Sequence, residues 1–251
     1  MQTQSQQREE NGVVTPYAGM VYEVNRAWSV YGSYTSIFKP QDYREVTGAY
    51  LAPIEGKSYE AGIKGELLQR RLNVSAAVFR IEQDNFSQQV LPQVFVPGFP
   101  NEFAYRGVKG TTSQGVEFDM NGEVRPGWQA SLGVSYSRAK DGSGAAVNSA
   151  VPRTQAKLFT SYKLDGDWDK LTVGGGATWQ SKASDVIGPN NETFVQDAYG
   201  VVSVFGRYQF DKRLSVSLNL NNLFDKTYLL SPWSAYYGTP RSATLTVRYQ
   251  F

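Results

Sequence analysis

Leu214-Ser215-Val216-Ser217-Leu218-Asn219-Leu220-Asn221 (LSVSLNLN) decides the fold. Leu214, Val216, Leu218 and Leu220 alternate with Ser215, Ser217, Asn219 and Asn221 without a slip. Successive side chains of a β-strand point to opposite faces, so this period of two makes one face of oil and one of water. The same pattern holds from Trp128 to Tyr136, where Trp128, Ala130, Leu132, Val134 and Tyr136 oppose Gln129, Ser131, Gly133 and Ser135. It returns at the end of the chain, where Ala243, Leu245, Val247, Tyr249 and Phe251 alternate with Thr244, Thr246, Arg248 and Gln250.

Working outward from these segments, strand signals centre near residues 14–23, 27–38, 58–67, 71–83, 103–124, 127–139, 154–164, 170–182, 197–210, 213–222 and 242–251. Several exceed the roughly five or six residues usual in soluble sheets and suit the roughly 9–11 tilted residues that cross a bilayer. Short connections at 24–26, 68–70, 125–127, 165–169 and 211–212 alternate with long ones at 39–57, 84–102, 140–153, 184–196 and 224–241. That rule belongs to outer-membrane barrels, with tight periplasmic turns and extended external loops. Charges choose the faces. Glu60 and Lys64, Glu117 and Asp119, and Lys157 and Lys163 fall on the polar side of their strands. A lysine or arginine facing mid-bilayer lipid costs about 2–4 kcal/mol, so the polar side faces the lumen. From Leu72 to Gln83 alternation fails, because Ala76 and Ala77 adjoin and Arg80 lies among apolar neighbours, and the faces stay unassigned there.

Composition agrees and narrows the function classes. The 251 residues carry 14% aromatic side chains and 24 glycines, and no run approaches the roughly eighteen apolar residues of a membrane helix. A net charge of +2 with scattered basic residues gives no footprint for nucleic acid. Zero Cys and zero His remove the usual thiol, imidazole and zinc chemistry, and no phosphate loop or Ser/His pairing supports catalysis. Residues 1–13 are expected to be a polar, disordered start without the apolar stretch of a secretory signal. Gly174-Gly175-Gly176 lies inside a strand pattern, where it suits a kink or close packing of a barrel wall. Glu55-Gly56-Lys57 suggests a solvated turn.

The expected fold is all-β: a transmembrane antiparallel β-barrel in which residues 14–251 supply about eleven strands. Its first and last strands run in the same direction, so they do not close antiparallel, and an open edge in lipid leaves backbone groups unpaired at tens of kcal/mol. The chain is therefore expected to be the C-terminal half of a larger barrel of about 22 strands, completed by sequence before Met1.

Asn219-Leu220-Asn221-Asn222-Leu223-Phe224-Asp225-Lys226-Thr227-Tyr228, followed by Gly238-Thr239-Pro240-Arg241 and a closing Tyr249-Gln250-Phe251, resembles the C-terminal signature of TonB-dependent receptors. Tyr31 to Gln41, Pro53 to Glu60, Ala77 to Arg80 and Gly115 to Phe118 look like the ferric-siderophore branch, particularly receptors for hydroxamate and pyoverdine-like ligands. The resemblance implies a bacterial outer-membrane location, an N-terminal plug absent here, contact with TonB through that missing region, and Fe(III)-siderophore as cargo with no resident cofactor. It also implies that the terminal aromatic is read by the outer-membrane insertion machinery. The Asn-rich strand end needs only a structural explanation, since Asn and Asp satisfy backbone groups where a chain leaves a sheet.

Large rings with polar tips suit a bulky, partly polar iron chelate. Phe38, Tyr43, Tyr105, Trp233, Tyr236 and Tyr237 are the candidate ligand contacts, in or beside the first, second and last long loops. Tyr50, Phe86, Phe95 and Phe99 share those loops, and for any one ring the alternative role is rim anchoring or loop packing. Two other functions share the alternation: a passive porin or autotransporter barrel, and a TonB-dependent receptor for a non-siderophore substrate such as a cobalamin or glycan.

Overall fold

A computed structural model describes residues 11–147, 149–187, 192–231 and 234–251. Eleven strands form one continuous wall. They are β1 (Tyr17–Glu23), β2 (Trp28–Lys39), β3 (Ile54–Leu67), β4 (Leu72–Asp84), β5 (Thr111–Arg125), β6 (Trp128–Lys140), β7 (Thr154–Lys163), β8 (Leu171–Gln180), β9 (Tyr199–Gln209), β10 (Leu214–Asn221) and β11 (Ser242–Tyr249). Each pairs antiparallel with the next.

The register carries two faces across the wall, with one shift beside Trp128 and Gln129 where β6 leaves the short turn from β5. Val30, Ile63, Ala76, Phe118, Val134, Ala156 and Trp179 stand opposite one another in successive strands, an apolar row seven strands wide. The next row is Ser29, Lys64, Ser75, Asp119, Gly133, Lys157 and Thr178. Glu60, Lys64, Glu117, Asp119, Lys157 and Lys163 all fall on this second face, as the sequence predicts. The apolar face is bare: Met20 is 73% exposed, Val78 56%, Leu245 67% and Val247 62%. A sheet that leaves such a continuous face uncovered is stable only against lipid or a partner of equal breadth.

Aromatic belts bound the apolar band. Trp28, Trp128, Tyr208 and Tyr249 lie on the outer face near the short turns, and Tyr34, Tyr59 and Tyr136 near the long loops. Rings with one apolar body and one polar tip suit headgroup level, and the Tyr34 and Tyr59 rings meet at 5.4 Å there. At that belt the outer face becomes charged, where Arg80, opposite Tyr59, pairs with Glu82 at 2.8 Å.

The inward face is packed through glycines. A Cβ at Gly62 would lie 2.6 Å from the Tyr31 ring, one at Gly115 2.7 Å from Phe79, and one at Gly174 2.6 Å from Phe205. These glycines are the seats of inward aromatic rings, an arrangement that fills the wall without bending the ladder. It accounts for the first glycine of the 174–176 run as close packing.

The short turns fall where the sequence places them. Asn25 Oδ1 accepts from the amides of Ala27 and Trp28 at 2.8 and 3.0 Å to hold the first. Asp211 Oδ1 accepts from those of Arg213 and Leu214 at 2.7 and 2.9 Å to hold the last.

Two expectations are corrected. Glu55-Gly56-Lys57 is not a turn but the start of β3, paired with Phe38, Ile37 and Ser36 on one side and with Asp84, Gln83 and Glu82 on the other. The ladder continues above the lipid, where both faces are wet and no apolar alternation marks it. The 103–124 strand is broken: Tyr105–Val108 pairs with Phe86–Gln89 in an external hairpin, and the wall strand starts at Thr111. Gly110, at φ 67°, makes the break, and its amide donates to Asp84 Oδ1 at 2.7 Å. The face of β4 is resolved by register: Asn73, Ser75, Ala77 and Phe79 point inward and Val74, Ala76, Val78 and Arg80 outward. Of the expected disordered start, residues 1–10 lie outside the described residues, and Asn11 onward is exposed and without strand structure until Tyr17.

β1 and β11, the two edges of the wall, run in the same direction, so they do not form an antiparallel seam with each other.

Candidate ligand-binding site

Apart from Thr111 at the outer end of β5, 2% exposed, the deepest burial in the described chain is concentrated in the external loops. Leu51 and Val96 are 2% exposed, Ala104 0%, Gln41 4% and Arg44 5%. These residues belong to the first long connection (40–53) and the second (85–110), which build a small core of their own. The second connection contains the hairpin of Phe86–Gln89 with Tyr105–Val108 and, nested within it, the pair Phe95–Val96 with Phe99–Phe103. Phe95 and Phe103 stack at 4.8 Å.

Arg44 joins the two. Its backbone bridges Tyr50 in its own loop and Ala104 in the next, and the Tyr105 amide donates to its carbonyl at 2.8 Å. Its guanidinium lies 3.8 Å from the Tyr50 ring centre and 4.1 Å from that of Phe99. It donates to the Gly48 carbonyl at 2.9 Å and the Tyr50 hydroxyl at 2.6 Å, and it meets Glu102 at 3.3 Å. A planar fork of donors that also stacks on rings suits this position, and lysine offers only part of it. Gln41 adds a second link, donating to Ala52 O at 2.6 Å and Asn85 O at 2.8 Å.

The other loops are laced in series. The Gly142 amide donates to Lys109 O at 3.3 Å, that of Ser184 to Ser149 O at 3.0 Å, and that of Leu229 to Gln196 Oε1 at 2.7 Å. Tyr199 and Tyr228 stack at 4.4 Å below the last loop. Asn222, 3% exposed, donates to the carbonyls of Lys226 and Thr239 at 2.9 and 3.0 Å and accepts from the Lys226 amide at 2.8 Å. That supports the structural role expected for the Asn-rich strand end. The five long connections therefore form a continuous rim.

The expected ligand residues separate into three groups. Tyr43 and Tyr105, 62 positions apart in sequence, meet at 4.2 Å beside the Arg44 link. Burial pushes the Tyr105 hydroxyl above its usual range, with nearby Tyr43 and Asp185 adding to the effect. Tyr105 is therefore a neutral donor and acceptor across physiological pH, next to the half-open ring of Tyr43. Tyr236 and Tyr237 stand on the last loop's hairpin at 74% and 67% exposed, open to anything that enters the rim. Phe38 is apart: it pairs with Glu55 on the outward face of the wall, above Tyr34. Trp233 lies outside the described residues. Arg44, Gln41 and Glu102 were missed from sequence, because nothing local in Asp42-Tyr43-Arg44-Glu45 distinguishes a hub from a solvated charge.

Among the described residues no cluster of His, Cys, Asp or Glu forms a metal cage. The site offers hydroxyls, amides and ring faces over a membrane wall, which is the equipment for holding an organic ligand. An eleven-stranded, lipid-facing wall crowned by a built platform defines the class: an outer-membrane β-barrel of the receptor kind. The chain belongs to the TonB-dependent receptor-like β-barrel family, whose model matches residues 2–223. It is 42% identical over 244 residues to the ferric-pyoverdine 358 receptor of Pseudomonas putida, covering 96% of this chain and 30% of that protein. It is 43% identical over 252 residues to the ferripyoverdine receptor of Pseudomonas aeruginosa, covering 96% and 31%. The crystal structure of that outer-membrane receptor bound to ferripyoverdine superposes with a TM-score of 0.83 at 42% identity, over 96% of this chain and 33% of the other. The chain thus spans about a third of the length of the relatives it matches, and it corresponds to the C-terminal part of their barrels.

Proposed function

We propose that this chain is the C-terminal wall of a TonB-dependent receptor that takes up a ferric siderophore across the bacterial outer membrane. The external platform captures the chelate, with Tyr43, Tyr105, Tyr236 and Tyr237 as contacts, and the inward face of β1–β11 forms part of the passage. The observation that carries this reading is the Arg44-linked loop core: a passive pore has no use for two external loops built into one buried body around a pair of tyrosines. The relatives' names support an iron chelate of the pyoverdine kind over a cobalamin or a glycan. Iron travels as cargo, no resident cofactor is required, and the chain is not an enzyme. TonB supplies the drive through the region preceding the barrel, the remaining strands close β1 and β11 into a wall of about 22, and the Tyr249–Phe251 end is recognised by the insertion machinery.

Growth of an iron-starved strain lacking its own receptors, carrying the whole gene and fed single ferric chelates, tests the assignment. Growth is expected with a pyoverdine-type or another hydroxamate chelate, abolished when TonB is removed. Equal growth on every chelate without TonB, or none on any siderophore, would overturn it.

A further inference from the structure

The third long connection (141–153) and the fourth (181–198) border a hollow of about 500 Å3 at the outer end of β6 and β7. Ser113, Ser137, Ser149 and Ser184 line it with Arg153 and Lys182, and among the described residues no aspartate or glutamate does. β5 contributes only Ser113, which faces inward opposite Ala139, while its outward neighbours Thr112 and Gln114 take no part. The hollow therefore opens to the mouth of the lumen and not to lipid.

The ladder brings the two cations together. Gln155 and Gln180 are partners on the inward face of β7 and β8, and beyond them the Ser181 amide still donates to Thr154 O at 2.9 Å. Two positions past these glutamines, on the same face, stand Arg153 and Lys182. Both are exposed, and among the described residues neither is in an ion pair. Like charges opposed across a ladder repel, and the cost falls when an anion sits between them. The surrounding loops do not supply that anion. Asp141 Oδ1 accepts from the Ser143 hydroxyl at 2.6 Å and from the amides of Ser143 and Ala145 at 3.0 Å each. Asp185 Oδ1 accepts from the Val186 amide at 2.9 Å. Arg138 also borders the hollow, but its guanidinium donates to the Gln114 side-chain oxygen on the outward face.

The hollow adjoins the platform of the tyrosine pair. The Ser184 amide donates to Ser149 O and ties the two connections together, and the next residue, Asp185, lies near enough to Tyr105 to act on its hydroxyl. A chelate seated on Tyr43 and Tyr105 thus reaches the hollow with a side arm. We propose that this hollow is a second subsite for the chelate, in which Arg153 and Lys182 bind a carboxylate that the chelate carries outside its iron-binding groups. Charge-assisted bonds to that carboxylate, with serine hydroxyls completing its shell, favour a chelate with a free acid over a neutral or cationic one. The rings hold the body of the chelate, and the hollow reads its charge. This rests on the uptake reading above and adds the class of chelate to it.

Two forms of one ligand test it: a pyoverdine-type ferric chelate with a free carboxylate, and the same chelate with that carboxylate converted to the primary amide. The purified whole receptor should bind the acid form about tenfold tighter, and molar salt should narrow the gap. Arg153→Gln/Lys182→Gln should bind both forms as the unchanged receptor binds the amide. Arg153→Lys/Lys182→Arg should keep the preference. Equal affinity of the unchanged receptor for both forms, a measurement that needs no variant, would overturn the proposal and leave uptake standing. So would a preference that survives the double substitution to glutamine. Loss of the amide form as well in that variant would also overturn it, since the two cations would then be supports of the loops. Binding of neither form by the unchanged receptor would overturn it too, and growth of the iron-starved strain on another ferric chelate would then show that the uptake reading stands alone.

Discussion

Replacing Arg44 with alanine is expected to weaken chelate binding by about tenfold to a hundredfold, while the receptor remains in the membrane in normal amount. The ion pair with Glu102 contributes little, since that carboxylate is 47% exposed and such pairs are worth at most about 1 kcal/mol. The loss comes from the donations to Gly48 and Tyr50, about 1.5–3 kcal/mol each for a charged donor at the upper end, and from the two ring contacts, about 0.5–2 kcal/mol each. These terms overlap, and part of them is recovered by water entering the site. What remains is enough to free the first loop from the second and to part Tyr43 from Tyr105, so the ligand must bear the cost of ordering them. Amide exchange should accelerate across 41–53 and 95–105 and stay unchanged in β5 and β6. Arg44→Lys should fall between the two, since it keeps the charge and loses the fork. Unaltered affinity and exchange in Arg44→Ala would show that the loops hold together without it.

The second large effect concerns the wall. Leu132 lies on the outward face midway along β6, opposite Met120 and Leu158. Leu132→Arg places a cation against mid-bilayer lipid at a cost of about 2–4 kcal/mol, so folded receptor in the outer membrane should drop steeply. Ser135→Arg, three residues on and facing inward opposite Glu117, should assemble normally. Heat-modifiable migration of the two variants on a gel measures this. Equal yields would mean that the outward face is not bathed in lipid.

The wall was legible in the sequence because a bilayer imposes a strict rule on every strand it touches. LSVSLNLN, the Trp128–Tyr136 segment and the C-terminal strand each show that rule unaided, and each of the eleven wall strands overlaps a segment where strand signals place one. Legibility ended where lipid ended. Glu55-Gly56-Lys57 reads as a turn since the upper ladder is wet on both faces, and the break at Gly110 is hidden because extended segments flank it on both sides. Ala76-Ala77 obscured β4 because alanine is tolerated on either face, and only pairing with Phe118 and Glu117 fixes which points out.

The candidate site was legible in its residue types but not in its assembly. Tyr43 and Tyr105 were chosen as rings with polar tips, and the structure brings them together. That meeting depends on Arg44 and Gln41, whose partners come from a loop some forty to sixty positions away. Contacts at that separation leave no local period. Phe38, chosen only as a large ring beside the first long loop, proves to share the outward face with Tyr34, which counting by twos along β2 could have indicated.

Everything rests on the two faces of the wall, and their most direct test is a nitroxide scan of residues 214–221 in the whole receptor embedded in bilayers. Labels at 214, 216, 218 and 220 should collide with dissolved oxygen and be shielded from a water-soluble nickel complex, and labels at 215, 217, 219 and 221 should show the reverse or be shielded from both. Equal accessibility at all eight positions, or a rise and fall repeating every three to four residues, would contradict the account.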